Sequence, residues 1–442
     1  MLLIGHGQVI TGDESQAHIS DGCVVIQDQW VLETGSTVKM KSKYPGAIFL
    51  DVGGKVIMPG LINAHMHLYS TFARGMALKN SPPGNFREIL ERLWWRLDKA
   101  LTEEDIYYSA LVPLVDCIRN GTTTIFDHHS SPGAVRGSLF TILKAARVAG
   151  IRSCLCYEVS DRDGKEITDQ GIRENLEFIH ACKEAGDEMA QGMFGLHASL
   201  TLSDETLSRC CRENREIGTG FHIHAAEGRV DAEECLRRHG RRVIERLFDF
   251  GVLGPKTIAA HCVHVDDREV DLLKESKTKV VHNPESNMGN AVGCAPVIDM
   301  LKRGVYVGLG TDGYTCDMLE SLKVANILHK HQLGDPKVGW AEAPDMLFRK
   351  NSMICEEYFS RPLGRLVPGA FADVIVVNYD PPTPMGARNL YGHILFGMSG
   401  PLVDTTVING RVVMHGRKLV GVDEGEIVAK SRELAEKVWQ RF

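Results

Sequence analysis

Pro59-Gly60-Leu61-Ile62-Asn63-Ala64-His65-Met66-His67 continues a β-rich run that starts at Val56 and ends in two histidines separated by one residue. Residues i and i+2 of a strand face the same side, so a strand over Val56 to Ala64 carries both imidazoles to one face at its C-terminal end. The strand's place in a longer pattern decides the fold. From Val56 to Arg361, short β-branched runs alternate with longer segments of helical apolar spacing, which is the pattern of repeated βα units. Further strands are predicted at Thr122 to Asp127, Ile151 to Tyr157, Met193 to His197, Gly220 to Ala225, Thr257 to His261, Lys279 to His282 and Val305 to Gly310. With the first they make eight, enough to close a barrel. No G-x-G-x-x-G comes after the first strand, as a dinucleotide-binding open sheet would require. The fold class is therefore α/β, a (β/α)8 TIM-like barrel over residues 57–361.

Helices are predicted over Phe86 to Asp98, Glu103 to Arg119, Leu139 to Ala149, Gln170 to Ala185, Ser203 to Glu216 and Ala232 to Phe250, with N-caps at Thr102, Ser203 and Asp231. Outside the barrel the pattern changes. Residues 1–56 contain β-rich pieces at Gln8 to Thr11, Gly22 to Gln27 and Ala47 to Val52. Residues 362–423 add Ala372 to Asn378 and Val403 to Val413, the latter with an Asn409-Gly410 pair suited to a type I′ hairpin turn. Both ends are expected to build one small β-sandwich. A final amphipathic helix over residues 424–442, with Val428, Leu434, Ala435 and Val438 toward one side, is expected to pack on the barrel's outside.

The 442 residues carry 50 Lys and Arg against 57 Asp and Glu, a formal charge of -7, which argues against nucleic acid or an anionic membrane surface as the main partner. A small-molecule substrate is expected, with the chain as a homo-oligomer. No apolar run approaches the roughly 20 residues a bilayer requires. Met1 to Ile4 meet Gly5 and His6 at once, so no signal peptide is read there and a cytoplasmic location is expected. Twelve cysteines without a C-x-x-C pair read as reduced, mostly buried thiols.

Chemistry concentrates at the strand ends. Phe221 to Glu227 again places two histidines on one strand face: His224 nearer the mouth is the better metal ligand, and His222, one layer deeper, reads as an interior histidine. Glu227 falls beyond the strand, where it can reach a metal-bound water or serve as a helix-start carboxylate. His261 belongs to the mouth of the sixth strand and His264 to the following loop. Asp312, after the eighth strand, either caps the next helix or converges with His65, His67 and His224 in a His/carboxylate set suited to catalytic zinc or iron. On the third strand Glu158 is expected to face the pocket, with Asp161 in the following loop as a second substrate contact or as a loop ion pair with Arg162 or Lys165.

These segments, with Gly195-Leu196-His197, His282 to Asn287 (HNPESN), Gly308 to Gly313 (GLGTDG) and Pro368 to Asp373, resemble the amidohydrolase superfamily over nearly the whole chain. The similarity lies in its branch of chlorohydrolases and nucleobase or nucleoside aminohydrolases. Leu93 to Leu111 and Asp127 to Pro132 are most similar to the SsnA-type aminohydrolases. The resemblance implies a barrel with a β-sandwich from both termini. It also implies His65, His67, His224 and Asp312 as ligands of one divalent metal, usually Zn2+ and sometimes Fe2+. Glu227 would be the proton shuttle, and His261 would hold the attacking water. Two-metal relatives carry a bridging lysine or acid on the fourth strand; His197 stands there instead, which implies one metal and makes His197 a substrate contact. Asn287 is a substrate-side candidate. The implied reaction is hydrolytic deamination of a small N-heterocycle, such as a purine, pyrimidine or pterin. Ring opening of a cyclic amide or amidine is the alternative, and a non-catalytic binding barrel is a third reading.

Overall fold

The computed structural model describes residues 1–78 and 81–442. Eight strands form the barrel: Leu61–Met66, Thr122–His129, Arg152–Tyr157, Phe194–Ala198, Phe221–Ala225, Ile258–His261, Lys279–His282 and Tyr306–Leu309. Neighbours pair in parallel. Hydrogen bonding divides them into two half-barrels. The first three strands, with the short Ala190–Gly192, make one sheet, and the fourth to eighth make the other. Isolated parallel bridges close the circle at Met66 with Asp312 and at Val159 with Leu196. At the first of these seams Thr311 and Asp312 both donate their backbone N–H to His65 O at 3.0 Å.

Strand alternation sorts the side chains. Ile62, Ala64, Phe126, Cys154, Ile258 and Val281 fill the barrel interior together with Ile354, Phe359 and Phe371, whereas Leu61, Ile125, Leu155, Leu196, Ile223, Val280 and Val307 face the surrounding helices. The apolar filling leaves the C-terminal ends of the strands for polar groups.

The strand expected over Val56 to Ala64 is two strands. Val56–Pro59 pairs with Leu2–Ile10 and with Val374–Val377, and only Leu61–Met66 enters the barrel. The break falls at Gly60, whose N–H goes to Asp373 O at 2.9 Å and where a Cβ would lie 2.3 Å from Thr123 Oγ1. Val56–Pro59 thereby joins the two chain ends in one nine-stranded sheet, which also contains His18–Gln27, Trp30–Ser36, Ile48–Asp51, Val403–Ile408, Arg411–His415 and Lys418–Leu419. Asn409 and Gly410 turn its hairpin at φ 52° and 74°, as a type I′ turn requires.

The helix expected over Ala232 to Phe250 is also divided, into Arg229–His239 and Val243–Phe250, because Gly240 ends the first in a left-handed C-cap at φ 62°. Asp231 is not an N-cap. Gly228 occupies that position, and Asp231 accepts from Ala226 N at 2.8 Å. Thr102 and Ser203 cap as expected. The segment Phe86 to Ala100 is helical throughout but carries a π turn over Leu90–Trp94. The last helix, Glu424–Arg441, packs on Glu103–Arg119 and buries Ile427, Leu434 and Val438, so Ile427 takes the inward place expected of Val428.

Candidate active site

Four side chains converge at the barrel mouth: His65, His67, His224 and Asp312 each offer a ligand atom, and these lie within 4.8 Å of one another. His67 Nε2 is 3.0 Å from His224 Nε2 and 3.0 Å from Asp312 Oδ1, and His65 Nε2 is 3.6 Å from the same oxygen. The outer nitrogens are held from behind. His67 Nδ1 donates to His128 O, His224 Nδ1 donates to His197 O at 2.9 Å, and His65 Nδ1 meets His222 Nε2 at 2.8 Å. His222 is thus the interior histidine expected from its depth on the strand, and it orients a ligand candidate.

This arrangement fits a divalent ion. Burial opposes a charge on His67, but Asp312, Glu158 and Asp127 raise its imidazole to about 9, so a proton sits between His67, His224 and Asp312 at a point that a shared cation can take over. His65 Nε2 is buried with no hydrogen-bond partner among the described residues. Burial pushes the His65 imidazole down to about 3 and His224 well below its ordinary value, so both rings stay neutral and able to ligate. Burial works against the charge on Asp312, but the His65 and His67 imidazoles beside it hold its carboxyl well below the usual range. Three imidazoles and one carboxylate form the donor set of a zinc-type site with room for water. A second convergence of His67, His128, Glu158 and His224 draws on His67 and His224 again, so it adds no independent cage.

Beside this set stand Glu227 and His261. His261 Nε2 is 3.5 Å from Glu227 Oε2 and 3.9 Å from Asp312 Oδ2. Burial raises the Glu227 carboxyl to about 7, which poises it to take and return a proton near neutrality. Backbone geometry is unusual here: Ala226, His261, Cys262 and Asp312 all hold positive φ, between 48° and 73°. Non-glycine residues rarely do so, and such strain gathers where strand ends must aim side chains at one point. A short helix after the seventh strand, Pro284–Gly289, braces the group. Ser286 donates to Asp312 Oδ2, and Asn287 Oδ1 accepts from His261 Nδ1 at 2.7 Å.

His67, His224, Glu227 and Asp312 form the polar side of a cavity of about 230 Å³, which His197, Asp231, Ser286 and Asn290 also line. Its other wall is apolar. Phe86, Ile89, Leu90, Leu93 and Trp94 come from one face of the helix with the π turn.

Residues 56–413 match the description of the Amidohydrolase family. The chain belongs to this family. It is 31% identical over 444 residues to a 5'-deoxyadenosine deaminase of Methanosarcina mazei, covering 100% of this chain and 99% of that protein. It is 32% identical over 442 residues to a 5-methylthioadenosine/S-adenosylhomocysteine deaminase of Syntrophomonas wolfei, covering 99% of both. An adenosine deaminase of Xanthomonas campestris, solved with bound zinc, shares the fold with a TM-score of 0.89 at 21% identity, covering 99% of this chain and 98% of that one.

Within this amidohydrolase barrel, the structure brings His65, His67, His224, Glu227, His261 and Asp312 together and places His197 on the cavity wall. Three residues expected as substrate contacts, Glu158, Asp161 and Asn287, do not line the cavity. Glu158 does point inward, but at 3% exposure it is enclosed behind the wall, with His128 Nδ1 at 3.1 Å, His67 Nδ1 at 3.5 Å and His197 Nε2 at 3.7 Å. Burial opposes its charge, yet His128, His197 and His67 together hold its carboxyl well below the usual range. Asp161 is not paired with Arg162 or Lys165, which meet Asp98, Asp163 and Asp169 instead. The Asp161 oxygens accept from Ser203 N and Thr206 Oγ1, both at 2.7 Å, and staple the start of the helix Asp204–Ile217. Asn287 is absent from the cavity lining and instead holds His261. His128 is a site residue that the sequence reading misses. The adjacent pair His128-His129 at the end of the second strand is a usable signal, since alternation sends one of the two inward. Asp231, Ser286 and Asn290 carry no such signal, because loop geometry brings them in.

Proposed function

We propose that this amidohydrolase is a metal-dependent hydrolytic deaminase of an N-heterocycle, with Zn2+ as its metal and an adenosine-like nucleoside as its substrate class. The observation that carries the reading is Glu227 and His261 converging with Asp312 beside a four-donor His/Asp set on the floor of a half-apolar cavity. The names of the similar proteins, 5'-deoxyadenosine deaminase and 5-methylthioadenosine/S-adenosylhomocysteine deaminase, support the nucleoside class.

His65, His67, His224 and Asp312 would hold the ion. When bound, a divalent ion supplies a Lewis acid that lowers the pKa of a coordinated water toward about 7. The protein does the rest. Glu227 accepts the proton of the attacking water and returns it to the nitrogen that departs as ammonia. His261, held by Asn287, presents Nε2 toward both carboxylates and orients the water. Thr201 Oγ1 gives its hydrogen to Ala198 O, so it accepts from His197 Nδ1 at 2.8 Å and leaves His197 Nε2 as an acceptor for a substrate N–H or O–H. The wall from Phe86 to Trp94 stacks against the ring and keeps bulk water away.

The test is ammonia release by the zinc-loaded protein across adenosine, 5'-deoxyadenosine, 5-methylthioadenosine, free purines and pyrimidines, pterins and cyclic ureides. Ammonia from the adenosine group supports the reading. Acid production without ammonia would replace it with ring opening.

A further inference from the structure

Asn290 lines the cavity at the end of the Pro284–Gly289 helix and has a place in the hydrogen-bond order of the site. The Ser286 hydroxyl has one hydrogen and gives it to Asp312 Oδ2. Toward Asn290 Nδ2, 3.2 Å away, Ser286 Oγ therefore has only a lone pair to offer. The amide atom facing it must be the NH2 group, and the same nitrogen lies 3.3 Å from Glu227 Oε1. Both amide hydrogens are committed, one to Ser286 and one to Glu227. The chain of donors runs from Asn290 through Ser286 to Asp312, and from Asn290 to Glu227.

We propose that Asn290 is a positioning residue for the proton transfer: by donating to Glu227 Oε1 it keeps that oxygen an acceptor and puts the proton that Glu227 carries on Oε2. Oε2 is the oxygen 3.5 Å from His261 Nε2, the ring that the proposed function assigns to orienting the water. The proposal rests on the reading of Glu227 as the shuttle. The step balances: an O–H bond of the water breaks and an O–H bond forms at Oε2, then that bond breaks as an N–H bond forms on the departing nitrogen. Asn290 gains and loses no proton.

The test compares wild type, Asn290→Leu and Asn290→Ser in the zinc-loaded protein, using a substrate that passes the ammonia assay. Loss of the amide should lower kcat by about 10-fold while KM moves by less than about 3-fold, with zinc content unchanged. Infrared difference spectra give a readout independent of turnover. The protonated-carboxyl C=O band that disappears in Glu227→Gln should move to higher frequency in both Asn290 variants, because its carbonyl oxygen loses a donor. A kcat within about 2-fold of wild type with an unmoved band would overturn the proposal. Loss of zinc from both variants would also overturn it, since Asn290 would then act on Asp312 through Ser286. A wild type that releases no ammonia from any heterocycle would remove the deaminase reading, and the infrared comparison would still decide the role of Asn290.

Discussion

His67 and His224 face each other Nε2 to Nε2 across 3.0 Å, although each ring has already given its Nδ1 hydrogen to a backbone carbonyl. Burial opposes a charge there, yet Asp312 and Glu158 raise the His67 imidazole to about 9, which marks a point where a divalent ion can take the proton's place. Elemental analysis should find one divalent metal per chain, and His224→Ala should abolish both metal and turnover. At ligand concentrations about 100-fold above Kd, binding to the native state alone adds about 2.7 kcal/mol, so chelation should lower Tm measurably. Two metals per chain, or full activity with none, would contradict the single cage.

Glu227→Gln keeps the side chain's size and cannot carry a proton. Turnover should fall by about 10² to 10⁴-fold with metal retained. Near-normal turnover would move the shuttle role to His261.

The same substitution has a consequence for stability in the metal-free protein. Burial raises the folded carboxyl of Glu227 from 4.5 to about 7, so folding opposes its ionisation. The resulting penalty is absent below about 4.5, grows as pH rises and is complete above about 7. Glu227→Gln should therefore have a higher Tm than wild type at pH 8 and the same Tm at pH 4. Equal Tm values at both pH values would show that the folded carboxyl titrates normally.

Asp161→Ala should destabilise the fold and leave the kinetics alone. It removes the acceptor for Ser203 N and Thr206 Oγ1 at a helix start, a loss of about 1–2 kcal/mol by denaturant titration. A raised KM with unchanged stability would restore Asp161 to the substrate contacts.

Gly228→Ala tests the apolar wall. Its φ of -95° accepts any residue, but a Cβ there would stand 2.4 Å from the ring of Phe86 and push that ring toward the cavity. KM should rise about 10-fold, worth about 1.4 kcal/mol. Adding Phe86→Ala should relieve the rise, and failure to do so would place the effect elsewhere.

The barrel is legible in the sequence because short β-branched runs alternate with segments of helical apolar spacing from Val56 to Arg361. The ligand candidates are legible because His65/His67 and His222/His224 show the two-residue spacing at strand ends, although the first strand breaks its register between Asn63 and Met66 and His67 follows its last residue. Beyond the last strand residue that period has no authority. Alternation gives Glu158 the right side but not its depth, since the rings of His67, His128 and His197 close in front of it. Asp161 and Asn287 look like substrate groups because they are polar residues in mouth loops, yet unpaired backbone and imidazole N–H groups claim them. Gly60 reads as strand rather than as a break because Pro59-Gly60 sits inside an otherwise unbroken apolar run, and the close approach of Thr123 comes from a distant part of the chain.

The four donors are shared evenly between the two half-barrels: His65 and His67 come from the sheet of the first three strands, and His224 and Asp312 from or beside the sheet of the other five. An ion at that point works as a clasp across the seam where Met66 and Asp312 make a lone bridge. Part of its binding energy thus goes into keeping a cylinder round, and the amides of Thr311 and Asp312 become the place where a loosened clasp would first admit solvent exchange.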